Sequence, residues 1–128
     1  MDTQGHLLAA AVTPADVPDV DGAYALLPAA KAAAPTLAHV WVDGAYAGDW
    51  AAWAAEEQGA TVAVVRRPPG TTGFVLQARR WVVERTFAWL SRHRRLSRDV
   101  ERYEHTTETL LFLASCHLLL KRLKPATQ

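Results

Sequence analysis

The chain has 128 residues, half of them apolar, with 14 Lys and Arg against 13 Asp and Glu. That is enough for one domain with a sizeable core, and no apolar run approaches the roughly 20 residues a membrane span needs. A single cysteine, Cys116, excludes an internal disulfide and a thiolate zinc cluster, and a reducing, cytoplasmic setting is the simplest reading. The first five residues carry no basic region, so no signal peptide is expected. The net charge of +1 conceals an asymmetry: residues 1–60 carry −7 and residues 61–128 carry +8. A basic half can track a phosphate backbone, or the two halves can neutralise each other within the fold.

In chain order, His6–Thr13 is a short apolar run ending at Pro14 and predicts a strand. Asp16–Asp21 is acidic and broken by proline, a loop. Gly22–Ala33 is rich in Ala and Leu and predicts a helix interrupted by Pro28. Leu37–Val42 predicts a second strand, stopped by the turn pair Asp43-Gly44. Asp49 can cap a helix over Trp50–Gln58, with Gly59 as its stop. Ala60–Val65 predicts a third strand, and Pro68–Gly73 a loop. Two long helices follow, from about Leu76 to Arg95 and from about Thr107 to Leu123. The last is apolar on most sides and should be largely buried; residues 125–128 form a tail. This order is α/β, and the helix joining the second and third strands favours a parallel pair.

The candidate residues each admit two readings. Asp43, at the carboxyl end of a strand, stands where open α/β sheets bind ligands and can serve a hard cation; Asp-Gly is also a common turn. Glu84 borders an apolar helix stripe formed by Val83, Phe87 and Leu90, and is either a site residue or half of an ion pair with an Arg one turn away. Arg92, Arg94, Arg95, Arg98 and Arg102, extended by Arg79, Arg80 and Arg85, form a basic cluster suited to gripping phosphate or to a solvated helix end. The five Trp are most simply core or half-buried packing residues. The five His show no metal-ligand spacing.

Together these segments resemble a known family. The string Arg66-Arg67-Pro68-Pro69-Gly70-Thr71-Thr72-Gly73-Phe74, then Arg79-Arg80-Trp81-Val82-Val83-Glu84-Arg85-Thr86-Phe87-Ala88-Trp89-Leu90, is similar to transposases of the insertion-sequence-five type, within the insertion-sequence-four-like group. Arg92–Glu101, Val42-Asp43-Gly44-Ala45-Tyr46 and Asp2-Thr3-Gln4-Gly5 continue the likeness. The resemblance implies a ribonuclease-H-like fold whose two Asp and one Glu bind Mg²⁺ or Mn²⁺ for DNA strand cleavage and transfer, acting as a homo-oligomer on the ends of a mobile element. It implies catalytic and metal-binding roles for Asp43, as the second Asp, and for Glu84. It implies DNA contact by Arg80, with Arg85, Arg92, Arg94 and Arg95 around it. Gln77 stands where the family often has Tyr, and Ser91 where it often has Lys.

The first Asp has no match in these residues. Asp2 is a poor substitute, being near a terminus where it is not expected to be held rigidly, with a single strand before the first helix. The expectation is therefore an incomplete ribonuclease-H-like α/β fold: residues 1–124 as the carboxyl-terminal part of a catalytic domain, an incomplete mixed sheet with flanking helices, inactive without an upstream transposase segment. The rivals are a catalytically dead DNA-binding or inhibitory protein and a non-functional remnant.

Overall fold

In the computed structural model, residues 1–66, 70, 80–98 and 101–123 are described. The predicted Pro68–Gly73 loop (apart from Gly70), the start of the long helix before Arg80, and the tail lie outside them. The chain divides into two compact units, one formed by Ala15–Ala78 and the other by Met1–Pro14 with Arg79–Gln128.

The first unit is built on a parallel pair of strands. Helix α1, Asp19–Ala33, begins directly after Pro18. It starts three residues before the predicted boundary because Asp19 and Asp21 fall in its first turn, where carboxylates are stabilised by the helix dipole. Lys31 lies in the last turn, where a cation is favoured, and its ammonium donates to the Gln58 carbonyl. Pro28 is accommodated inside the helix.

Strand β1, His39–Val42, ends at Asp43, and a 3₁₀ turn over Gly44–Tyr46 leads to α2, Asp49–Glu56. Strand β2, Thr61–Val64, then returns parallel to β1, pairing Val40 with Val62 and Val42 with Val64. The predicted parallel pairing is thus observed. Among the described residues the sheet has these two strands alone.

Ala23, Leu27, Trp50, Ala54 and Ala60 form the buried core of this unit, with Val40, Val42 and Val62 packed on it from the sheet. Trp50 and Trp53 carry the aromatic part: Tyr24 meets Trp53 at 4.7 Å and Tyr46 meets Trp50 edge-on at 5.4 Å between ring centres. Ala54 is fully enclosed. Ala54→Val should therefore overpack the α2–sheet contact and cost about 1–3 kcal/mol. Urea unfolding checks this; an unchanged midpoint would contradict the packing.

The second unit holds α3, Arg80–Leu90, and α4, Glu104–Leu123, packed on each other. Helix α3 stops five residues before the predicted Arg95. Ser91 Oγ donates to the Ala88 carbonyl, and the N–H groups of Arg92 and His93 turn back three residues to Trp89 and Leu90, which tightens the chain out of the α-helix.

Two further expectations are corrected. His6–Thr13 is not a strand. A strand needs a neighbour for its backbone groups, and the Val12 N–H instead donates to the Glu108 carboxylate on α4 at 2.9 Å. Helix α4 is not largely buried: Ala114 is, whereas Phe112, Leu113, Leu120 and Leu123 are exposed, as is Cys116. Its apolar residues run all round, but its packing covers one side. Trp41 and Trp81 are 39% and 46% exposed, half-buried rather than core. No described helix is long and apolar enough to cross a membrane.

Candidate functional site

Asp43 lies where β1 gives way to the 3₁₀ turn, and its carboxylate is exposed. Oδ1 accepts the Ala45 N–H at 2.9 Å, so the side chain caps the turn that it introduces. The turn reading of Asp43-Gly44 is therefore correct as far as it goes, and it leaves the carboxylate at the carboxyl end of a parallel strand. Burial raises the pKa of the neighbouring Tyr46 hydroxyl, and the charges of Asp19 and Asp43 raise it further. Two carboxylates, one from the first turn of α1 and one from the end of β1, thus bear on the same phenol.

Glu84 is exposed on α3, in the other unit. Val82, Thr86 and Leu90 form the buried side of that helix, and at about 100° per residue Glu84 falls on the opposite side. Among the described residues, no three His, Cys, Asp or Glu side chains gather into a group able to hold a metal ion. Asp43 and Glu84 do not by themselves make the donor set expected for a divalent cation in this chemistry.

The basic candidates separate into two groups. Arg92 and Arg94 are exposed in the turn after α3, and Arg95 is exposed while forming an ion pair with Glu101 at 2.9 Å. That turn is tied down by Ser97 Oγ on the Arg94 carbonyl and by an edge-on contact of His93 with His117 of α4. Arg80 opens α3, and its side chain lies outside the described part.

Arg85 has partners of its own. Its guanidinium lies 4.3 Å from the centre of the Trp81 ring and 4.7 Å from that of Trp89, and it donates to the Gln4 carbonyl at 3.3 Å. Arg122 of α4 stacks on Trp89 at 4.9 Å and donates to the same carbonyl. Two cations from two helices converge on one backbone oxygen of the amino-terminal turn. The spacing Trp81, Arg85, Trp89 carries this signal in the sequence, since residues four apart are neighbours on a helix.

That turn is better ordered than its position in the chain predicts. Asp2 Oδ1 accepts the N–H groups of Gln4 and His6, and Oδ2 lies 2.8 Å from His6 Nδ1. The expectation of a loosely held Asp2 is corrected: its carboxylate is fixed, but fixed by the turn. Burial pushes the Asp2 pKa up, and the hydrogen bonds from His6 and Gln4 outweigh it and hold the carboxyl below its ordinary value. A lowered folded pKa contributes stability above the unfolded value, about 3.9, that is lost as pH falls through the folded one. Asp2→Asn should flatten the acid side of the thermal stability profile below about pH 4 relative to wild type. Parallel profiles for the two proteins would contradict this.

The family follows from a comparison with known proteins. The chain matches the model of the family described as transposase DDE domain over residues 1–119. The chain belongs to the transposase DDE domain family. No curated protein and no solved structure matches it. The match runs through both Asp43 and Glu84, and through the Asp2–Gly5 turn. DNA is the partner that membership of a transposase family implies.

Proposed function

We propose that the chain is the carboxyl-terminal part of the catalytic domain of an insertion-sequence transposase of the insertion-sequence-five type, with a ribonuclease-H-like fold. In this reading it acts in metal-dependent cleavage and transfer of DNA strands at the ends of a mobile element. The observation that carries it is the transposase match over residues 1–119, which takes in Asp43 at the end of a parallel strand and Glu84 on α3. Asp43 and Glu84 supply two of the three carboxylates, and an upstream segment supplies the first Asp. Mg²⁺ or Mn²⁺ is the cation, and Arg80, Arg92, Arg94 and Arg95 face the DNA phosphates. Arg85 serves the same region by fixing the amino-terminal turn against α3. Because two element ends must be held together, the working form is a homo-oligomer, and its setting is cytoplasmic.

The test uses purified chain, element-end DNA and Mg²⁺ or Mn²⁺, with and without a co-expressed upstream segment bearing the first Asp. Strand cleavage is expected only when the segment is present. Cleavage by the chain alone would remove the need for an outside carboxylate.

A second reading rests on a specific contrast: the described residues gather no three-donor group, whereas Arg92, Arg94 and Arg95 are exposed in one turn. In that reading the chain binds DNA without cutting it and competes with an intact transposase. Salt-sensitive binding with no cleavage in either arm of the test would favour it.

A further inference from the structure

His93 and His117 come from separate elements and meet. His93 sits in the turn after α3, where its N–H donates to the Leu90 carbonyl and its own carbonyl accepts the N–H groups of Leu96 and Ser97. His117 lies in the carboxyl-terminal half of α4. Both backbones are therefore held in place independently of any ligand. The two imidazoles meet edge-on, with ring centres 5.4 Å apart. Neither ring hydrogen-bonds to another described residue, so in the neutral form each keeps a nitrogen lone pair free. His117 is exposed and His93 half-buried, so an ion can reach the pair from solvent.

Neutral imidazole suits zinc and its neighbours among the divalent ions, and it holds zinc at about 2.0–2.1 Å. The centre of a coordinated ring then lies roughly 3.2 Å from the ion, and at a tetrahedral angle two such rings stand roughly 5.2 Å apart. The observed spacing is close to that value. Each ring must turn to aim a nitrogen at one shared point, and the torsion concerned is broad and soft. The described residues add no third side chain to the pair, so water fills the other positions on the ion. We infer that His93 and His117 form a two-imidazole site for a divalent cation of the zinc class, which clamps the turn carrying Arg92 and Arg94 to α4. Mg²⁺, which takes oxygen ligands, is excluded by this donor set. The inference does not rest on the transposase reading.

The test follows thermal unfolding of the whole chain in a Cys116→Ser background, which removes the exposed thiol as a competing zinc ligand. Zn²⁺ at about 0.1 mM should raise Tm by about 3–6 °C, and Mg²⁺ at the same concentration should not. Adding His93→Gln or His117→Gln should abolish the rise in each case, because one imidazole alone does not chelate. No rise with Zn²⁺, or an equal rise with Mg²⁺, overturns the inference. So does a rise that survives in either histidine variant. If those variants do not fold by circular dichroism, Cu²⁺ bound to the Cys116→Ser protein decides, since its electron spin echo modulation counts coordinated imidazoles. Two are expected, and one or none overturns the inference.

Discussion

Replacing Gly5 with Val should destabilise the protein by about 2–4 kcal/mol, from left-handed backbone strain and a steric clash together. Gly5 has φ +85°, a conformation that side chains with a Cβ adopt at a cost and β-branched ones rarely adopt at all. A Cβ at this position would also lie 2.8 Å from Thr86 Oγ1. Thr86 is buried, and its hydroxyl already donates to the Val82 carbonyl at 2.9 Å, so it cannot swing away without losing that bond. The two costs are separable. Gly5→Ala combined with Thr86→Ala should recover the part due to the clash and retain the part due to φ. Urea unfolding of wild type and these two variants measures this, and a Gly5→Val protein as stable as wild type would show that the turn does not dock on α3 this closely.

The second large effect concerns chemistry. Under the proposed function, Asp43→Asn and Glu84→Gln should each lower metal-dependent strand cleavage by at least roughly a thousandfold in the system supplied with the upstream segment. The double variant should be little worse than either, because groups that act as a unit are far from additive. The choice of amides matters at Asp43. Asn retains a side-chain oxygen to accept the Ala45 N–H, so the turn survives while the charge is lost. The substitution thus separates the two readings of Asp43-Gly44. Near-normal cleavage by Asp43→Asn would leave the residue as a turn former only. Blunt-duplex DNA binding by either variant should stay close to wild type.

The elements that sequence reasoning located well were those whose signals are local. β1, α2 and β2 are short apolar or capped runs punctuated by Asp43-Gly44, Asp49 and Gly59, and each boundary falls within two residues of its predicted place. The misses are places where a partner decides. His6–Thr13 has the composition of a strand, yet the Val12 N–H is taken by Glu108, 96 positions away in the chain. Nothing in a run of apolar residues tells which side of a helix will be covered, so the exposure of Leu113 and Leu120 on α4 was not legible.

The candidate site divides in the same way. Asp43 and Glu84 were legible as positions, at a strand end and on an amphipathic helix, and the family match takes in both. What their neighbours do was not. Arg85 reads in sequence as one more member of a basic cluster, while its guanidinium is bracketed by two indoles and a backbone carbonyl. Asp2 reads as a loose terminal residue, while the Asp2 carboxylate is held by the Gln4 N–H and by the N–H and ring of His6. An Asp three residues before a Gly is a turn signature that would have foretold the second of these.

The outward face of α4 has a practical use. Cys116 is the sole thiol of the chain and is exposed, close to the buried Ala114 in sequence but not sharing its enclosure. A maleimide dye attached there would report from one known point on every molecule, without a background of other labelled sites. Energy transfer from that dye to a fluorophore on an oligonucleotide end would give the distance between α4 and the bound DNA terminus in solution.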